Sequence, residues 1–130
     1  MRATTAGLVA GAAAALLVAG CGGGDDGSGA GGDCLDGTSG EVTIVAKDIA
    51  WDADCIEATA DEPLVISVDN RDSGVNHNLH LKDAPGNPKT GLEPGPVVQR
   101  LTVTLPAGSY EYVCDIHPNM VGTLEAAAAT

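Results

Sequence analysis

Aromatic side chains are nearly missing from this 130-residue chain, which has no Phe, one Trp and two Tyr. Its core must therefore rest on aliphatic residues, with Trp51, Tyr110 and Tyr112 filling the aromatic positions. Positive charge is scarce as well: Lys and Arg number 6 against 18 Asp and Glu, for a formal net charge of −12. Such a surface disfavours nucleic acid and anionic lipid, and it either steers cationic partners at low salt or serves solubility. No stretch sustains a helical period with caps. The closing Glu125 to Thr130 is helix-prone in composition but too short to form a helix alone. The apolar run from Leu8 to Ala19 is too short to span a bilayer.

What that run does have is the layout of a secretion signal. Met1 to Gly20 carries Arg2 as its one charge, then the apolar stretch, then small residues. The sequence Leu17-Val18-Ala19-Gly20-Cys21 resembles a bacterial lipobox, in which the cysteine becomes the lipidated first residue. Residues 1–20 are thus expected to be a signal peptide, and Cys21 the lipidation site. The protein is then exported and anchored to the outer face of the bacterial cell membrane; an ordinary signal peptide with an incidental Cys21 is the alternative. Each buried CH₂ of an acyl chain contributes about 0.8 kcal/mol, so a multi-acyl anchor holds. Loss of Arg2 with the signal takes the formal charge from −12 to −13. Residues 21–40 read as a tether. Its Gly22 to Gly32 segment cannot build a core, and these eleven residues behave as a coil about 17–20 Å end to end.

From Glu41 onward the hydrophobic pattern has period two. Val42, Ile44 and Ala46 alternate with mixed positions, as do Leu64, Ile66 and Val68, and then Leu101, Val103 and Leu105. Tyr110, Tyr112 and Cys114 share one face. Short alternating runs between Gly/Pro/Asp/Asn loops predict an all-β domain over residues 41–130, a two-sheet antiparallel Greek-key β-sandwich. Pro106-Ala107-Gly108-Ser109-Tyr110 fits a tyrosine corner, where a Tyr hydroxyl bonds back to nearby backbone. Asp83 to Val97, with four prolines, reads as an inter-sheet crossover that cannot pair as a central strand.

The chemistry concentrates in Cys114-Asp115-Ile116-His117-Pro118-Asn119-Met120. A thiolate, an imidazole and a thioether fall within seven positions, and a weak thioether beside the first two is diagnostic for copper. After removal of the signal Met120 is the only methionine, so a spare core Met explains it poorly. A second imidazole comes from Val75 to Leu81. Alternation places His77, Leu79 and Leu81 on the core face and Asn78 and His80 on the other. His77 is therefore the expected ligand, with His80 outward or beside a partner. A zinc site using both His77 and His80 is disfavoured because strand residues three apart diverge. Plain core packing of His77, Cys114 and His117 is the other alternative. Cys34 and Cys55 remain, and in an oxidising compartment they are expected to pair, closing a loop of about twenty residues and adding about 3 kcal/mol. The rival reading makes one of them a ligand, although neither has a His nearby.

On these residues the chain resembles the cupredoxins. His77-Asn78 together with Tyr112 to Gly122 carries the resemblance, and the Cys-x₂-His-x₂-Met spacing is most similar to the amicyanin branch. Asp48 to Asp52 and Pro106 to Tyr110 sit where plastocyanin-like domains carry related segments. The resemblance covers roughly Glu41 to Ala126. It implies one copper ion held by His77, Cys114 and His117 in a plane, with Met120 as a long axial ligand. It implies that Asn78 ties the two ligand loops together and that electrons enter at the His117 edge. These ligands leave no open position for a substrate, and three His cannot build a further His-rich centre, so no enzyme is expected. The implied function is one-electron transport by Cu(I)/Cu(II) cycling as a monomer with a redox partner protein. Delivery of copper to an exported acceptor, as a chaperone or storage protein, is the alternative.

Overall fold

A computed structural model describes residues 33–130. The signal peptide, Cys21 and the Gly22 to Gly32 segment lie outside the described residues. Ten strands follow in order: β1 (Leu35–Asp36), β2 (Glu41–Ala46), β3 (Cys55–Thr59), β4 (Pro63–Asn70), β5 (Asn76–His77), β6 (His80–Lys82), β7 (Glu93–Pro94), β8 (Val97–Thr104), β9 (Gly108–Cys114) and β10 (His117–Ala127). They form a five-stranded sheet in the order β1-β3-β10-β9-β6, a three-stranded sheet β2-β4-β8, and the short pair β5-β7. The all-β sandwich expected from period-two alternation is present. Val42, Ile44, Leu64, Ile66 and Val68 of one sheet bury against Ile56, Tyr112 and Leu124 of the other.

The sheets are mixed, where an antiparallel sandwich was expected. β2 pairs with β4 in parallel, and β3 pairs in parallel with both β1 and β10. The reason is connectivity: the chain leaves β2, builds β3 in the opposite sheet and returns as β4, and such crossovers generate parallel neighbours. Folding also starts earlier than residue 41. β1 lies inside the segment expected to be tether, fixed there by a disulfide between Cys34 and Cys55 with Cα atoms 4.7 Å apart and by the Gly37 amide donating to Glu57 O at 2.7 Å. At the other end, the helix-prone Glu125-Ala126-Ala127 is strand, since pairing with β3 overrides local propensity.

The aromatic shortage is met as expected. Tyr112 is fully buried, Tyr110 nearly so, and Trp51 meets Tyr112 edge-on with ring centroids 6.1 Å apart. The tyrosine corner forms, with Tyr110 Oη donating to Pro106 O at 2.6 Å. The Asp83 to Val97 connection is more than a crossover. It folds back on the segment carrying His77, pairing Glu93 with His77 and Pro94 with Asn76. Thr90 Oγ1 accepts from the Leu79 amide at 2.9 Å and Leu79 O accepts from the Thr90 amide at 3.0 Å.

Candidate metal centre

The site forms at the end of the sandwich where β4, β9 and β10 meet their loops. Cys114 ends β9 on the same inward face as Tyr110 and Tyr112, as alternation requires. The chain then turns through Asp115 and Ile116, placing His117 opposite Cys114. The next regular pair is Val121 with Val113, so Pro118, Asn119 and Met120 are inserted opposite a single step of β9. That bulge lets His117 approach Cys114 while Met120 turns inward. Met120 is fully buried and packs with Cys114, Ala46 and Trp51.

His77 comes from the far side. Its Nδ1 lies 3.9 Å from Cys114 Sγ, and His117 Nδ1 lies 3.5 Å from the same sulfur. All three donor atoms fall within 4.8 Å of one another, and the two imidazole rings tilt across the space with centroids 4.7 Å apart. His77 and Cys114 are buried, whereas His117 is partly open to solvent. Burial, then the neighbouring His77, lowers the His117 pKa, which favours the neutral ring a metal needs. His80 stands outside this cluster; its Nδ1 pairs with Asp115 Oδ1 at 2.8 Å. That agrees with the strand-parity expectation.

Asn78 departs from that parity. It was expected on the outward face but is only 2% exposed. β5 ends at His77 and β6 begins at His80, so the segment is not one strand and alternation lapses at Asn78 and Leu79. Asn78 instead makes a reciprocal pair with the other loop: its Nδ2 donates to Asp115 Oδ2 and its Oδ1 accepts from the Asp115 amide, both at 2.9 Å. The His80 ring, then Asn78, hold the Asp115 carboxyl below the usual range.

Three polar residues around the site, Asp72, Asn70 and Asn119, carry no distinctive signal in the sequence. Asp72 Oδ2 meets His77 Nε2 at 2.8 Å, and its carboxylate also takes the amides of Asp48 at 2.6 Å and Ile49 at 2.9 Å. The Ile49 amide first, and the His77 ring next, lower the Asp72 pKa to about 2. Asn70 Oδ1 accepts from the Asp72 amide, and its Nδ2 donates to Val75 O and Glu93 O at 2.8 and 3.0 Å. Asn119 Nδ2 donates to Ile49 O at 2.7 Å. In the sequence Asn70 and Asp72 look like ordinary turn formers, and their partners lie on loops that only the fold brings close.

A buried cysteine sulfur with two imidazoles and an adjacent thioether, at one end of a β-sandwich, defines a candidate centre for a soft transition metal. The cupredoxin-like domain family matches residues 12–126, and the chain belongs to that family. No curated protein matches the chain. Among solved structures it is similar to auracyanin A, described as a "blue" copper protein of Chloroflexus aurantiacus. Identity there is 22%, with a TM-score of 0.59, covering 66% of this chain and 97% of that one. A dithionite-reduced auracyanin from Roseiflexus castenholzii matches at 17% identity and a TM-score of 0.61, over 72% of this chain and 100% of that one. An amicyanin variant in its reduced Cu(I) form matches at 21% identity and a TM-score of 0.55, over 67% and 82%.

Proposed function

We propose that this chain is a type 1 copper protein that carries single electrons between exported redox partners. The observation that supports it most is the convergence of His77 Nδ1, His117 Nδ1 and Cys114 Sγ within 4.8 Å, with buried Met120 packed on the cysteine. The donor set suits copper, with His77, Cys114 and His117 as the main ligands and Met120 as the weak one. Bound copper would supply the one-electron Cu(II)/Cu(I) couple. The residues themselves supply fixed positions. A carboxylate can only accept, so Asp72 requires the proton of the neutral His77 ring on Nε2 and leaves the Nδ1 lone pair facing Cys114. Asn78 and Asp115 tie the His77 and Cys114 segments together. Donors held this way need little rearrangement between oxidation states.

A carrier is favoured over copper delivery because the donors sit in a buried, cross-bonded frame rather than on a free edge. The same closed donor set leaves no position for a substrate, in keeping with a carrier rather than an enzyme. The auracyanin named as a blue copper protein supports the copper reading. The lipobox-like Leu17 to Cys21 supports export and a lipid anchor at Cys21, with the domain near the membrane. Purified full-length protein titrated with Cu(II) should give an intense thiolate-to-copper absorption band and a narrow copper hyperfine splitting. Cys114→Ser should abolish both. A colourless protein that takes Cu(I) but not Cu(II) would overturn the carrier reading in favour of delivery.

A further inference from the structure

The turn Lys47–Ala50 is closed by hydrogen bonds between Lys47 and Ala50 in both directions, and its two central residues, Asp48 and Ile49, both have φ of 55°. For a β-branched isoleucine this is an outlier conformation, which persists only when surrounding contacts over-determine it. Here two contacts grip it. The Asp72 carboxylate takes both strained amides, and Asn119, between ligand candidates His117 and Met120, donates to Ile49 O. Asp72 also holds His77 Nε2, so one hydrogen-bonded chain runs from His77 through Asp72 and Ile49 to Asn119. It links the two segments that carry the imidazoles.

A neutral carbonyl would suffice to orient His77. A carboxylate does more, because it places a negative charge against the ring in a site where Asp72 is only 7% exposed. Charge there stabilises the more positive state of whatever the ring binds. We propose that Asp72 is a positioning residue that sets the tautomer of His77 and, through its charge, biases the site toward Cu(II) over Cu(I). The charge part rests on the copper reading above; the tautomer part does not.

Two measurements on full-length protein test it. In the metal-free protein at pH 8, ¹⁵N NMR of the His77 ring should show the proton on Nε2 alone. Asp72→Asn should give a mixture, because an amide can also donate to Nε2. In copper-loaded protein titrated between ascorbate and ferricyanide, D72N should lower the Cu(II)-to-Cu(I) affinity ratio about tenfold, a rise of about 59 mV for one electron. Asp61→Asn is the control: Asp61 precedes β4 at the end opposite Asn70, is exposed and removes the same charge, so its potential should match wild type. A wild-type ring protonated on Nδ1 overturns the positioning role, whether or not D72N folds. A D72N potential equal to wild type overturns the charge role. A wild type that takes up no copper overturns the functional reading and the charge role with it, while the tautomer still decides the positioning role.

Discussion

Gly122→Ala should be among the most damaging single-methyl changes available to this domain. Gly122 lies directly across from Tyr112 in the β9–β10 ladder, and the Tyr112 ring folds over it. A Cβ at residue 122 would overlap Tyr112 Cζ, Oη and Cε2, closer than the 3.0 Å that real Cβ atoms respect. The ring is fully buried, so it has no free volume to retreat into, and its Oη donates to Ala53 O at 2.7 Å. Overpacking of this kind costs about 1–3 kcal/mol, and losing the hydroxyl bond adds about 1 kcal/mol. The expected destabilisation is therefore about 2–4 kcal/mol, on the order of 10–20 °C in Tm for a domain of this size. Urea unfolding of metal-free protein should show a lower midpoint with an unchanged m-value. In a Tyr112→Leu background, which lacks the overlapping atoms, the same substitution should cost less than about 1 kcal/mol, because the two sites are coupled. A G122A loss below about 0.5 kcal/mol in the wild-type background, or full additivity in the double variant, would refute the reasoning.

Reducing the Cys34–Cys55 bridge, or replacing both cysteines with Ser, releases a loop spanning 21 positions and should lower unfolding free energy by about 3 kcal/mol. Paired urea curves with and without reductant check this on the metal-free protein, and a loss under about 1 kcal/mol would count against it. Acid should act through Asp72. Its folded pKa, about 2, lies below the model-compound value of 3.8, so its contribution is fully present above about pH 4 and disappears as pH falls through 2. The shift corresponds to about 2 kcal/mol. Metal-free wild type should therefore lose more stability than D72N between pH 5 and pH 2, and parallel losses would show that other carboxylates dominate.

Much of the candidate site is legible in local pattern, because a strand alternates faces whatever its neighbours are. Alternation along β9 alone turns Tyr112 and Cys114 inward, and alternation along β6 turns His80 away from the buried side of Leu81. Asn78 escaped the same rule, since the strand breaks between His77 and His80 to let its amide reach Asp115. The bulge at Pro118–Met120 is likewise a property of the β9–β10 register, although the close spacing of Cys114, His117 and Met120 already announced a shared site.

Residue type and spacing in the sequence determined the all-β class, the ligand candidates, the expected cysteine pair and the tyrosine corner, since each depends on side-chain chemistry or on short-range periodicity. Tertiary structure alone decided the parallel strand neighbours, the strand at Leu35–Asp36 within the expected tether, and the carboxylate behind His77. Asp72 meets Asp48 and Ile49 from more than twenty positions away. Such a bond depends on which loops the two sheets bring to the same end of the sandwich, and no local pattern encodes that.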